Sequence, residues 1–410
     1  MRWRCAARAA LEQPGPLILG SMGGASTSLA AALLAAVVAL AATPLAIRLA
    51  HRTGFLDRPR GYKAHGAPTP YLGGTAVFWT IALVALPLPG VAGRFAPVLA
   101  CGAGLWALGT LDDRVNVSPL WRLLAEAAAA VVVWSAGLGW SVFGSAPLDL
   151  LLTMLWVIGL VNAFNLMDNL DGAAGSVAVA CACGIGALAL LDSEPAVASL
   201  SLVVAGACLG FLRWNLAKPA RIFLGDGGSM PLGFLIACLA MAATQHGGGH
   251  GLALATAALL VGIPILDTSL VVFSRRRRGT PLWTGGRDHL THRLLPRVRA
   301  AWSVAVVLFG IQAVVTVSAI YAHESAQVVV VVIAGAWGLL GLVAIWALDG
   351  GGRGAGEPAV EEHHHAVSSD PISPARPRPT IVVSEVRTRV PVGVRAEPMA
   401  NSAPSEKEEI

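Results

Sequence analysis

Aspartates beside glycines, paired carboxylates, and histidines flanked by arginines recur along this 410-residue chain in patterns that suit phosphate and divalent-cation chemistry. In Gly225-Asp226-Gly227-Gly228-Ser229 an aspartate opens a helix. It combines a hard oxygen ligand with exposed backbone amides, which suits Mg²⁺ carrying phosphate oxygens. Asp112 and Asp113 are adjacent carboxylates that repel each other, and a cation, an arginine or a Mg²⁺-bearing phosphate substrate would relieve them. Asn162, Asn165, Asp168 and Asp171 emerge together at the end of an apolar stretch, before Gly172 lets the backbone turn. Helix capping accounts for one or two of these four, not for all. His289 and His292, with Arg287 and Arg293 around them, fit a diphosphate held by charge-assisted hydrogen bonds. No third His or Cys lies near enough to make that pair a zinc site. Lys63 and His65 are candidate phosphate contacts, and Gly73 and Gly74 relax the entry into the helix that follows.

These residues punctuate a chain that is 55% hydrophobic and only 13% charged, with a mean hydropathy of +0.66. Such a composition excludes a soluble domain and predicts an all-α integral membrane protein. Windows of about 20 residues, matched to a hydrocarbon core about 30 Å thick, predict about 11 transmembrane helices. They fall near 28–50, 71–90, 95–111, 119–138, 146–164, 173–191, 196–214, 229–245, 251–274, 301–321 and 326–348, those near 95 and 229 being short. Basic residues then collect between alternate spans, including eight arginines from Arg275 to Arg299, whereas Arg94 alone falls in the opposite loops. The positive-inside rule places the N-terminus outside and the C-terminus in the cytoplasm of a multi-pass cell-membrane protein.

Every polar cluster comes out on that same basic face. One-sidedness of this kind predicts a cytoplasmic-face active site. A channel, pump or transporter would carry its charges or broken helices within the spans, which are nearly free of them. The net charge of +5 describes a basic face for lipid head groups and phosphorylated substrates, and nucleic acid is not an expected partner. Five of the six cysteines fall within predicted spans and read as small apolar packing residues. Residues 1–27 are expected to be a disordered extension or a mis-assigned start, 28–349 the transmembrane domain, and 350–410 a disordered tail in which His363 to His365 form a bland triplet.

Taken in order, the segments resemble the polyprenyl-phosphate N-acetylhexosamine-1-phosphate transferases of glycosyltransferase family 4. That family includes the enzymes that start teichoic acid, O-antigen and arabinogalactan linker synthesis, and phospho-MurNAc-pentapeptide transferase. The likeness covers about residues 28–348. It implies that a polyprenyl phosphate, undecaprenyl or decaprenyl, attacks the β-phosphorus of a UDP-sugar and releases UMP. It also implies Mg²⁺, with Mn²⁺ as a substitute, held by Asp226 with Asp112. Asp112 and Asp113 match the paired aspartates that engage the lipid phosphate or assist the metal, either being open as base. Asn162, Asn165, Asp168 and Asp171 match the segment for nucleotide and sugar, and His289 with His292 the motif near the diphosphate. The bilayer is a further partner and a homodimer is compatible. No ATP-binding loop is needed, since one phosphoanhydride replaces another, and none is present.

Two departures stand out. Asn169 follows Asp168 where most relatives have Asp-Gly-x-Asp-Gly, and Thr291 interrupts the usual His-x-His-His. Together they motivate a competing reading as a catalytically silent binder of UDP-sugars. The lack of a triple-His form favours the hexosamine branch, with UDP-GlcNAc as the default donor, over donor use of the pentapeptide-transferase type.

Overall fold

The computed structural model describes residues 16–57, 68–245, 250–281 and 286–350. Lys63 and His65, the first 15 residues and the tail from 351 lie outside them. Among the described residues the chain forms thirteen helices and one two-stranded ribbon. In chain order these are α1 (Pro16–Thr53), β1 (Leu56–Asp57), β2 (Thr69–Pro70), α2 (Gly73–Ala85), α3 (Val91–Val115), α4 (Pro119–Ser135), α5 (Ala146–Met167), α6 (Ala173–Leu191), α7 (Pro195–Asn215), α8 (Asp226–Thr244), α9 (His250–Leu260), α10 (Gly262–Arg278), α11 (Leu290–Val298), α12 (Ala301–His323) and α13 (Gln327–Gly350). Pro119 and Pro195 occupy the first helical positions of α4 and α7, where a missing N–H costs nothing.

Each of the eleven expected spans is helical, with three corrections. α1 begins at Pro16 rather than near residue 28, so part of the expected irregular extension is helix. Among the described residues eight helices are long and apolar enough to cross a membrane, while α2, with 13 residues, and α4, with 17, are shorter. The span expected at 251–274 is a broken pair, α9 and α10, bent by 84°. Pro264 lacks an amide proton and so cannot continue the ladder through the break. The freed backbone groups need partners in an apolar bundle. Gln312 on α12, fully buried, supplies them: its Oε1 accepts from Ile263 N at 2.8 Å, and its Nε2 donates to the carbonyls of Leu259 and Leu260 at 3.1 and 3.0 Å.

α8 is the hub of the bundle. Its apolar stretch is wholly buried against α2, α3, α5, α6 and α9. Backbones approach so closely here that a β-carbon on Gly74 would overlap Gly228, and one on Gly109 would overlap the carbonyl of Asp226. Small residues at helix contacts are how membrane helices gain dispersion contact without a hydrophobic driving force between them. The segment leading into α8 is itself laced to the start of α2, with Phe223 N donating to Pro70 O at 2.8 Å and Gly74 N to Leu224 O at 2.8 Å. These contacts fix where Asp226 sits.

Candidate active site

The polar clusters separated in sequence meet at one end of the bundle. Asp112 and Asp113 lie in the last turn of α3, Asn162 and Asn165 in the last turns of α5, and Asp226 at the first position of α8. At their centre stands Arg122 of α4. Its Nη1 donates to Asp112 Oδ2 at 2.6 Å and to Asp226 Oδ2 at 3.4 Å, and its Nη2 to Asn165 Oδ1 at 3.1 Å. The amide of Asn165 donates in turn to Asp226 Oδ1 at 2.7 Å and to Ser229 Oγ at 3.0 Å. Asp112 is buried and also accepts Val117 N at 2.6 Å, so α3, α4, α5 and α8 are joined through one guanidinium. Arg122, which the sequence presents as a topogenic charge, is one residue that sequence reasoning missed.

Asp113 has a different task from Asp112. Its two carboxylate oxygens accept the backbone amides of Asp226 at 3.0 Å and Gly227 at 3.2 Å, so it caps α8 from a neighbouring helix. The first two amides of α8, expected to be exposed for phosphate, are therefore occupied by Asp113. Gly225 has φ of +72° and a β-carbon there would press on the Asp113 carboxylate, so only glycine fits this turn.

Asp168, just past the end of α5, accepts Gly225 N at 3.2 Å. Burial, followed by the carboxylates of Asp226 and Asp113, pushes its carboxyl well above the usual range. Asp171 adds to that repulsion. Asn162, one turn back along α5 from Asn165, donates to Glu126 Oε2 at 2.6 Å. Glu126 is fully buried one turn along α4 from Arg122, which makes two parallel rungs between these helices, Arg122 to Asn165 and Glu126 to Asn162.

The histidines sit on a separate mount. His289 is the N-cap residue of α11, and its Nδ1 lies 3.0 Å from Asp267 Oδ2 of α10. Asp267 Oδ1 also accepts Leu290 N at 2.6 Å, so this buried carboxylate supplies the side-chain cap that His289 does not, at the positive end of the helix. Asp267, inside an expected span, is a second residue that sequence reasoning missed. With Nδ1 engaged, Nε2 is the ring nitrogen left for a ligand. His292 is half-buried; burial first, then His289 and Arg287, hold its ring below the usual histidine range. Arg287 is exposed beside them.

Arg293 anchors the histidine segment to its neighbours. Its Nη groups donate to Ser274 Oγ at 2.7 Å, to Asp349 Oδ1 at 3.3 Å and to Leu348 O at the junction of α10 and α13, and its Nε donates to Asp288 O, beside His289, at 3.1 Å. The two departures in the motifs turn out to be partners: Thr291 Oγ1 donates to Asn169 Oδ1 at 2.6 Å.

Two carboxylates, one amide and one hydroxyl form an oxygen-rich donor set at Asp112, Asp226, Asn165 and Ser229, the chemistry that hard divalent cations prefer. Among the described residues, the three His, Asp or Glu side chains whose ligand atoms lie within 4.8 Å of one another are Asp192, His323 and Glu324, at the far ends of α6 and α12. They are remote from this chemistry.

Residues 95–244, which run from α3 to the end of α8, match the model of glycosyl transferase family 4. The chain is 37% identical over 318 residues to a putative glycosyltransferase of Streptomyces coelicolor, covering 75% of this chain and 72% of that one. It is 33% identical to the decaprenyl-phosphate N-acetylglucosaminephosphotransferase of Mycobacterium tuberculosis, over 68% of this chain and 78% of the relative. A third relative, the probable undecaprenyl-phosphate N-acetylglucosaminyl 1-phosphate transferase of Bacillus subtilis, is 31% identical over 68% of this chain and 80% of its own length.

Proposed function

The chain belongs to glycosyl transferase family 4, and from that premise we propose that it transfers N-acetylglucosamine-1-phosphate from UDP-GlcNAc to a membrane polyprenyl phosphate. An oxygen of the lipid phosphate attacks the β-phosphorus of the donor. The bond from that phosphorus to the bridging oxygen breaks, UMP leaves with the electron pair, and a polyprenyl-diphosphate sugar remains. The names of the mycobacterial and Bacillus relatives support both the acceptor class and the sugar. The observation that carries the reading is the convergence of Asp112, Asp226 and Asn165 on Arg122.

Phosphoryl transfer asks chiefly for positioning and charge neutralisation. Arg122 lies where it can neutralise charge that develops on the transferring phosphoryl group, while Asp112 and Asn165 hold its guanidinium plane. Asp113 holds the first turn of α8, and hence the Asp226 carboxylate, in place. His289, oriented by Asp267, turns Nε2 to the donor diphosphate, and His292 supports it. Asp226, with Asp112, would hold Mg²⁺ or Mn²⁺, which when bound would supply charge neutralisation for the diphosphate. The site-bearing end, where the basic residues collect, faces the cytoplasm in this reading. There the polyprenyl tail stays in the bilayer while UDP-GlcNAc arrives from water.

Purified protein supplied with undecaprenyl phosphate, Mg²⁺ and UDP-GlcNAc is expected to release UMP, and EDTA is expected to stop it. Asp226→Asn should abolish release while thermal unfolding in detergent stays near wild type. Folded wild-type protein that binds UDP-GlcNAc without releasing UMP would instead support the silent binder.

A further inference from the structure

The first turn of α11 is held at two points that come from different parts of the molecule. Asp267 of α10 takes His289 Nδ1 and Leu290 N, and Asn169 takes the hydroxyl of Thr291. The second mount joins elements 122 residues apart in sequence. Asn169 directly follows Asp168, which holds Gly225, and its own amide donates to Leu166 O at 2.6 Å, so its side chain is fixed at both ends. Thr291 is fully buried between the two histidines.

We infer that Asn169 and Thr291 form one coupled positioning unit that sets the distance between the histidine pair and the acidic cluster, and with it the fit to the donor's diphosphate. The inference rests on the functional reading above, in which the histidines meet that diphosphate. The chemistry favours a unit over two independent substitutions. A hydroxyl with no room around it and an amide already committed to Leu166 satisfy each other. Size points the same way. In the family pattern that the sequence resembles, a glycine stands at the first position and a histidine at the second; against that pattern the bulk has moved from the second to the first. A histidine at 291 would meet a filled site while Asn169 remains, and a glycine at 169 alone would leave the Thr291 hydroxyl buried without an acceptor.

The test uses the full-length enzyme in detergent and five variants: Thr291→Val, Thr291→Ser, Asn169→Gly, Thr291→His, and the double variant Asn169→Gly with Thr291→His. Thr291→Val keeps the shape and loses the hydroxyl. It should raise KM for UDP-GlcNAc about tenfold, the effect of one lost hydrogen bond, with KM for polyprenyl phosphate unchanged, and Thr291→Ser should restore it. Each half of the exchange should lower kcat/KM by about tenfold or more, and the double variant should recover most of the loss. The proposal is overturned if Thr291→Val leaves the donor KM unchanged, if both substrates suffer alike, or if the double variant is as poor as the product of its halves. Two further readouts do not need turnover: UDP binding, and hydrogen-exchange protection of α11, which Thr291→Val should lower and Thr291→Ser restore. Wild-type protein that releases no UMP would sink the reaction, and these two readouts would still decide the coupling.

Discussion

The acidic cluster and the histidine segment face the same proposed chemistry, yet they are built by opposite means. The aspartates ride on helices packed around α8, where glycine contacts such as Gly109 on the Asp226 carbonyl leave no freedom of placement. The histidines ride on the nine-residue helix α11, which is held by polar contacts to its neighbours. Asp267, Asn169 and the pair of Arg275 with Asp288 do that work. Close packing fixes a group by shape, whereas contacts between ionisable groups hold it under conditions that pH can change. A site of this kind has a rigid floor and an adjustable wall.

Breaking the floor should cost most. Arg122→Gln leaves Asp112 and Asp226 facing each other and removes the charge proposed to neutralise the transferring phosphoryl group. Loss of one such stabilising donor typically costs about 10²–10³-fold in kcat, a loss that UMP release should show, with Arg122→Lys intermediate because it keeps charge without the fork. Gly109→Val forces α3 away from the start of α8. A shift of about 1 Å in a reacting group costs roughly 100-fold; activity should fall by that much while the variant still inserts in the membrane.

The wall should respond more gently. Asp267→Ala removes a charged hydrogen bond at His289 and the cap of α11. It should weaken UDP-GlcNAc affinity about ten- to a hundredfold, with turnover at saturating donor nearly unchanged. The smallest effect concerns acid. Burial opposes ionisation of Asp288, but the hydrogen bonds and charge of Arg275, at 2.9 and 3.1 Å, outweigh it and hold the carboxyl below the usual range. Its stabilisation is therefore complete above about pH 4, the unfolded value, and fades as pH falls through the lower folded one. Exchange protection of α11 should show that acid step, and Asp288→Asn should remove it; an unchanged profile would deny the ion pair its part in mounting the wall.

Hydrophobic runs of about 20 residues announce themselves, so all eleven helical segments were legible, as was the gathering of Asp112, Asp113, Asp168 and Asp226 at one end. The bend between α9 and α10 was not, because hydropathy runs through it unbroken; Gly262 and Pro264 were the signal available. Arg122 was hidden by its resemblance to an ordinary topogenic charge, and its role follows only from the packing of α4 beside α3 and α5. Glu126 and Asp267 were more readable. An ionisable residue inside an apolar span is costly enough to mark a site by itself, and each lies within one of the expected spans. Asn169 and Thr291 were visible as departures, but that they bond to each other depends on how the chain folds back over 122 residues.

Gln312 carries a consequence for how the chain is made. Its side chain is the partner for backbone groups at Leu259, Leu260 and Ile263, yet it follows Ile263 by 49 residues. A ribosome delivers the break first and its partner later, so α9 and α10 enter the bilayer with groups that lipid cannot satisfy. The elbow between them can close only once α12 has threaded in beside it. Assembly of the wall is thereby timed to come after the floor, and a chain truncated before α12 is one the membrane should hand to its quality-control proteases.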